Sequence, residues 1–245
     1  MKHSQVFLKD ESFIKRVVDS LDVKPGDFFV EVGPGMGNIT FELLKRGAKV
    51  LTVEIDEFLC GLLRMKGVDV ICADYLKVDI SKELEERGIS PPIRFFSSIP
   101  YHITHSILLK ICSERKLYKD VNLILQYEVG KKLTAEHNTK AYGAFTVLMR
   151  SVFDISLVFN IPNRAFSPVP KVHSSLLRLI PKPENSDINC ERFLKFLNGF
   201  FKNRRKKMKN IYPSVPKEME DLRPENIPPE TWLKFFLVEN KTRQL

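Results

Sequence analysis

Apolar residues recur at helical spacing from Ser12 to Leu21: Phe13, Ile14, Val17, Val18 and Leu21 fall on one face, and Asp10 or Ser12 can cap the start. The turn Lys24-Pro25-Gly26-Asp27 leads into Phe28-Phe29-Val30-Glu31-Val32, a short apolar run of the kind that fills a buried parallel strand. Glycines follow, then a second helical stretch from Ile39 to Lys45. The alternation continues with a strand over Lys49–Val53, a helix over Glu57–Met65 and a strand over Val68–Ile71. Further strands are predicted at Ile93–Phe96, at Asn122–Leu125, near Ser151 to Phe159, and at Ser174–Leu179. Strand, helix, strand in this rhythm predicts an α/β fold with a Rossmann-like doubly wound sheet. Ligands of such sheets bind outside the carboxyl ends of the strands.

The pattern breaks at Ile180-Pro181-Lys182-Pro183-Glu184-Asn185, which can continue neither helix nor strand. A boundary is expected there, between a large domain over 1–180 and a small helical one over 181–245. In the latter, Phe193, Phe196, Leu197 and Phe200 form a helical apolar face, and Trp232, Phe235, Phe236 and Leu237 close the chain.

Three strand ends carry candidate chemistry. Glu31-Val32-Gly33-Pro34-Gly35-Met36-Gly37 follows the first strand, and its glycines allow a sharp turn and a close approach to a ligand. The spacing is GxGxG, and Glu31 sits inside the strand end, which suits a ligand bearing an amino acid better than a pyrophosphate. Glu54, with Ile55 beside it, ends the second strand, at the distance where nucleotide binders place a carboxylate on ribose hydroxyls. Asp74, followed by Tyr75, ends the third, where a carboxylate can accept a hydrogen bond from an adenine amine. Taken in order, these ends resemble the S-adenosylmethionine (SAM)-binding half of the class I methyltransferases.

After the fourth strand comes Ser97-Ser98-Ile99-Pro100-Tyr101, similar to the motif of enzymes that methylate the amino group of adenine. The chemistry follows from the parts. The exocyclic amine is a weak nucleophile because its lone pair is delocalised into the ring. Two oxygens that accept its hydrogens localise that pair toward a methyl donor, while an aromatic ring stacks on the base. By this resemblance Ser98 supplies one acceptor, the carbonyl of Ile99 or Pro100 the other, and Tyr101 the stack.

Composition narrows the partner. Among 245 residues, 39 Lys and Arg against 30 Asp and Glu give a formal charge of +9, which favours a polyanion. The four cysteines, Cys60, Cys72, Cys112 and Cys190, have neither metal-finger spacing nor the look of a disulfide framework. No metal is expected. The Met-Lys-His-Ser-Gln start lacks a signal peptide's apolar segment, and no apolar run reaches the ~20 residues of a membrane helix. A cytoplasmic monomer without membrane contact is expected.

Across nearly its whole length the chain resembles the KsgA family of rRNA adenine dimethyltransferases, relatives of the Erm resistance methyltransferases. Gln5-Val6-Phe7-Leu8 is similar to the family's QNFL segment beside SAM, and VEVGPGMGN, VEID and Asp74 follow in order. Gln126-Tyr127-Glu128 resembles its QKE, Lys140-Ala141-Tyr142-Gly143-Ala144 its KAYG, and Phe166-Ser167-Pro168-Val169-Pro170-Lys171-Val172-His173-Ser174 its FxPxPKVxS loop. The resemblance implies SAM contacts by Gln5, Val6, Leu8, Glu31, Gly33, Gly35, Gly37, Glu54, Ile55, Asp74, Tyr75 and Ser98. It makes Phe166 a second contact on the target adenine, and Lys171 a phosphate contact. Two positions depart from the family: Ser98 and Val6 each stand where it usually has Asn. Serine keeps a hydroxyl acceptor; valine has no polar side chain.

Six of the eight residues from Lys202 to Lys209 are basic. With the preceding Phe201 they resemble the FxxRRKxxxN segment of the KsgA family, which Erm enzymes do not share in that form, and Arg204, Arg205, Lys206 and Lys207 are expected to contact RNA. The implied activity is N6,N6-dimethylation of two adjacent adenosines in a hairpin near the 3′ end of small-subunit (16S-type) rRNA, in ribosome biogenesis. Naked RNA or an immature small subunit would be the substrate. Two alternatives stand beside it: an Erm-type enzyme of large-subunit (23S) rRNA, and a non-catalytic ribosome-assembly factor, the latter prompted by Ser98 and Val6.

Overall fold

The structure is a computed structural model that describes residues 6–100 and 103–242; Gln5 and Tyr101 lie outside the described residues. In chain order the elements are β1 (Phe7–Leu8), α1 (Glu11–Ser20), β2 (Phe28–Val32), α2 (Asn38–Lys45), β3 (Lys49–Glu54), α3 (Glu57–Met65), β4 (Asp69–Cys72), α4 (Ile80–Glu86), β5 (Ile93–Ser98), α5 (Thr104–Ser113), β6 (Tyr118–Gln126), α6 (Tyr127–Leu133), α7 (Ala144–Val152), β7 (Phe153–Ile161), β8 (Phe166–Ser167), β9 (Ser174–Pro181), α8 (Cys190–Phe201) and α9 (Pro229–Thr242).

Seven strands form one sheet in the order β4-β3-β2-β5-β6-β9-β7. The pairs from β4 through to β6 are parallel, and β9 runs antiparallel to β6. β2, β3 and β5 carry apolar residues on both faces and are nearly all buried, as a sheet covered by helices on both sides requires. Order reverses at β2, which lies between β3 and β5, so the carboxyl ends of β2 and β5 flank the crevice where such sheets bind ligands. The Rossmann-like α/β expectation holds.

The chain separates into two compact units, Met1–Gly130 with Ser156–Pro181, and Lys131–Ile155 with Lys182–Leu245. The second thus takes in residues 131–155 besides the C-terminal stretch beyond the proline-rich segment. The reason is packing: α7 is buried along Ala144, Val147, Leu148 and Met149, and the Tyr142 hydroxyl donates to the Ile227 carbonyl at 2.8 Å. Around fully buried Trp232, the rings of Phe196, Phe200, Phe201 and Phe235 close at centroid distances of 5.2–6.4 Å. These rings supply the core of the second unit.

Two sequence expectations need correction. Ser151 and Val152 end helix α7, and the strand predicted near Ser151 to Phe159 begins only at Phe153. Cys60 and Cys72 form a disulfide with Cα atoms 5.9 Å apart. Their spacing hides this, because the chain folds back from α3 directly onto β4 and brings the two positions face to face. Among the described residues no helix is long and apolar enough to cross a membrane.

Candidate active site

The glycine turn builds one wall of a cavity of about 280 Å³ in the first unit. Gly33, Gly35 and Gly37 have φ of +69°, +58° and +84°, a region that residues with a Cβ rarely occupy. A Cβ on Gly35 would lie 2.5 Å from the Phe7 ring, and one on Gly37 2.6 Å from Phe41. Gly33 differs: its nearest neighbour would be the Ser98 carbonyl at 3.9 Å. Backbone there faces backbone, and the bare turn leaves room for a ligand between the ends of β2 and β5.

Three carboxylates serve this cavity. Glu31, on β2, is 2 % exposed and accepts a 2.6 Å hydrogen bond from Thr40 Oγ1. Burial, with Glu54 nearby, pushes its pKa up to about 7 despite that bond. A buried carboxyl so destabilised as an anion is prepared to receive a cation. Glu54, at the end of β3, accepts from the backbone N–H of Ile55 (2.9 Å) and Asp56 (3.0 Å) through Oε1, and from Gly35 (3.2 Å) through Oε2. These bonds aim the carboxylate and still leave acceptor capacity for a ligand hydroxyl. Asp74 caps the 3-10 turn Tyr75–Lys77, its Oδ1 accepting from Leu76 N–H at 3.0 Å.

Ser98, Ile99 and Pro100, at and after the end of β5, close the cavity. Ser98 ends β5 half-buried, and its hydroxyl has no hydrogen-bond partner among the described residues. The Pro100 carbonyl accepts from Ile103 N–H (3.3 Å) and Thr104 Oγ1 (3.2 Å), which uses both its lone pairs. Of the two carbonyls expected to take the second amine hydrogen, that leaves Ile99. Ile99 itself is buried, its N–H donating to the Ile124 carbonyl at 2.9 Å.

The structure gathers Val6, Leu8, Glu31, Gly33, Gly35, Glu54, Ile55, Asp74, Tyr75, Ser98, Ile99, Pro100 and Phe166 on this one cavity. Gly37 sits just behind it, at the N-terminus of α2. Phe166 is 2 % exposed and also belongs to the core packed beneath the sheet. It arrives through a two-stranded ribbon in which Leu8 pairs with Phe166 and Phe7 with Ser167. Sequence reasoning missed Met36, Asn38, Ile103 and Ile107, which also line the cavity, and Thr40 behind Glu31. Asn38 ties the turn to β1, its side-chain amide donating to the Leu8 carbonyl at 2.7 Å. The sequence signal for Asn38 was its place directly after the last glycine.

A fit to SAM can be judged from these donors. A buried carboxyl at the glycine turn suits an amino-acid ammonium, an oriented carboxylate one strand over suits a diol, and an acid beyond it suits an adenine amine. A bare glycine surface lies between them, and the residues therefore fit the group. Among the described residues no cluster of His, Cys, Asp and Glu is arranged to hold a metal.

The basic run belongs to the second unit, in the turn that follows α8. Its cations differ in surroundings. Arg204 pairs with Glu225 and also reaches the Lys140 carbonyl at 3.4–3.5 Å. Lys207 and Lys209 share Asp221 at 3.0 and 2.8 Å, which holds that carboxyl down at about 2. Lys202, Arg205 and Lys206 are exposed and have no carboxylate within ion-pair distance among the described residues. Lys171 is exposed on the loop that leads from Phe166 to β9.

Comparison with known proteins shows the family. The family profile for "ribosomal RNA adenine dimethylase" matches residues 1–231. Proteins named ribosomal RNA small subunit methyltransferase A are 35% identical over 212 residues in Prosthecochloris aestuarii, covering 85% of this chain and 79% of that protein. In Borreliella burgdorferi they are 34% identical over 247 residues, covering 94% and 85%. A dimethyladenosine transferase from Plasmodium falciparum shares the fold at a TM-score of 0.82 and 23% identity, covering 96% of this chain and 98% of that one. The 23S rRNA methyltransferase ErmE superposes at a TM-score of 0.70 with 27% identity, covering 94% and 98%. The chain, a class I methyltransferase in fold, belongs to the ribosomal RNA adenine dimethylase family.

Proposed function

We propose that this chain transfers methyl groups from SAM to the N6 amine of adenosines in small-subunit rRNA, twice on each of two adjacent adenosines. The carrying observation is the convergence on one cavity of the three strand-end acids with a serine hydroxyl free to accept a hydrogen bond. SAM bound there supplies an electrophilic methyl on a sulfonium. Every other task falls to the chain. Glu31 holds the ammonium, Glu54 the ribose hydroxyls and Asp74 the adenine amine of the donor, while Val6 and Leu8 flank it. Ser98 Oγ and the Ile99 carbonyl accept the two hydrogens of the target amine and turn its lone pair toward the methyl. Tyr101 and Phe166 bound the target base.

The substrate is small-subunit rRNA or an immature small subunit, met in the cytoplasm by a monomer of this chain. Relatives at 33–35% identity over most of the chain carry small-subunit names, against 27% for ErmE. The segments that resemble the KsgA family's KAYG and FxxRRKxxxN meet in the second unit, where Arg204 reaches the Lys140 carbonyl. A non-catalytic role is disfavoured because the acids, the glycines and a hydroxyl acceptor all survive. Methyl transfer from labelled SAM to small-subunit and large-subunit RNA, each offered as naked RNA and as particle, tests the reading. Label in the small-subunit substrates is expected; label confined to large-subunit RNA means an Erm-type enzyme, and RNA binding without label means an assembly factor.

A further inference from the structure

Behind Asp74 lies a buried polar cluster that reaches the cavity through Tyr75 and takes no part in the methyl transfer itself. Tyr75, 4 % exposed, and Tyr118, 3 % exposed, each donate from the hydroxyl to Glu114 Oε2 at 2.8 Å, and the two phenol oxygens lie 3.4 Å apart. The other carboxylate oxygen of Glu114 pairs with Lys110 Nζ at 2.6 Å. Lys110 in turn donates to the Val78 carbonyl at 2.9 Å and sits 5.1 Å above the Tyr75 ring. Phe95 of β5 packs against both tyrosines, with centroids at 5.8 and 5.2 Å.

The connectivity gives the cluster a task. Asp74 and Val78 are the two capping residues of the 3-10 turn Tyr75–Lys77. Glu114 grips the first residue of that turn through Tyr75, and Lys110 grips its far cap through Val78. Lys110 lies in the last turn of α5 and Glu114 is its C-cap, while at the other end the N-cap residue Ile103 and, one turn on, Ile107 line the cavity. An apolar cluster would fill this space without the cost of desolvating a carboxylate, an ammonium and two phenols. What the polar version adds is direction, because hydrogen bonds fix the orientation of the turn where apolar contacts would let it slide.

We propose that Glu114, braced by Lys110, is a positioning residue for recognition of the donor's adenine: through the Tyr75 hydroxyl it holds the Asp74 carboxylate at the angle that meets the adenine amine. The inference rests on the reading of Asp74 as the partner of that amine. Selectivity for the amino group over a purine lacking it is then set by α5, and the same helix carries the wall of the catalytic turn.

The test uses the full chain and two ligands, S-adenosylhomocysteine and its analogue with hydrogen in place of the adenine amine, titrated against wild type, D74N, Y75F and E114Q. Wild type is expected to prefer the amine-bearing ligand by about tenfold. D74N should bring the ratio close to one. Y75F keeps the ring packed on Phe95 and removes only the hydroxyl, and E114Q cannot accept from the phenols and from Lys110 together; each should cut the ratio at least threefold. A purely structural contribution would weaken both ligands equally and leave the ratio at the wild-type value. If D74N retains the wild-type ratio, the reading of Asp74 falls and the proposal with it. If D74N loses the preference while folded Y75F and E114Q both keep it, Asp74 stands and the positioning role is overturned.

Discussion

Replacing Glu31 with Gln isolates a proton that the folded chain holds and the unfolded chain releases. Burial raises the Glu31 carboxyl from 4.5 to about 7, against the pull of the Thr40 hydrogen bond and with a further push from Glu54. At about 1.4 kcal/mol per pH unit the difference amounts to about 3 kcal/mol. The sign follows from a folded value above the unfolded one. Below about pH 4.5 both states hold the proton and the contribution to stability is complete; it is lost as pH rises and is gone above about 7. Urea unfolding of the ligand-free wild type and E31Q at half-unit steps from pH 4.5 to 8.5 measures this directly. Other titrating groups are common to both proteins, so the difference between the curves belongs to Glu31. Wild type should lose about 3 kcal/mol more than E31Q across the window. SAM affinity of wild type should rise over the same range as Glu31 ionises to meet the ammonium, and that of E31Q should stay low and flat. Parallel stability curves would refute the buried, cation-seeking carboxyl.

Other perturbations separate the parts of the site. Gly35→Ala combines a left-handed backbone, costing about 1–2 kcal/mol, with a Cβ 2.5 Å from Phe7. It should lower SAM affinity at least tenfold by calorimetric titration, whereas Gly26→Ala, with φ +88° and open space around it, should lose stability and keep affinity. Ser98→Ala should cut kcat about 100-fold with SAM affinity near wild type in single-turnover assays; Ser98→Asn should restore or exceed the original rate. Removing Lys202, Arg205 and Lys206 together should flatten the log–log salt dependence of RNA binding by about 2 to 3. Arg204→Ala should instead lower the melting temperature, because its guanidinium holds Glu225 and the Lys140 carbonyl.

Much of this was legible in the sequence because it is local. The β2–α2 turn needs glycine at three left-handed positions, and that requirement is written as GxGxG. Strand ends follow directly from where apolar runs stop, so Glu31, Glu54, Asp74 and Ser98 could be assigned to one face before any contact was known. What escaped is what distant segments decide together. α7 is apolar on nearly every side and reads as strand as easily as helix until α8 and α9 are there to cover it. Cys60 and Cys72 meet only through the fold-back of α3 onto β4. The basic run looks uniform in sequence, and only the placement of Glu225 and Asp221 divides its neutralised cations from its exposed ones.

The central claim is N6,N6-dimethylation of adjacent adenosines, and a doubly methylated amine has no hydrogen left for base pairing. Reverse transcription of ribosomal RNA from cells with and without this chain, joined to nucleoside mass analysis, reads that loss at single positions. The account predicts strong stops at two neighbouring adenosines near the 3′ end of small-subunit rRNA, with dimethyladenosine in the digest, both absent without the chain. Identical stop patterns and dimethyladenosine content in the two RNAs would contradict it.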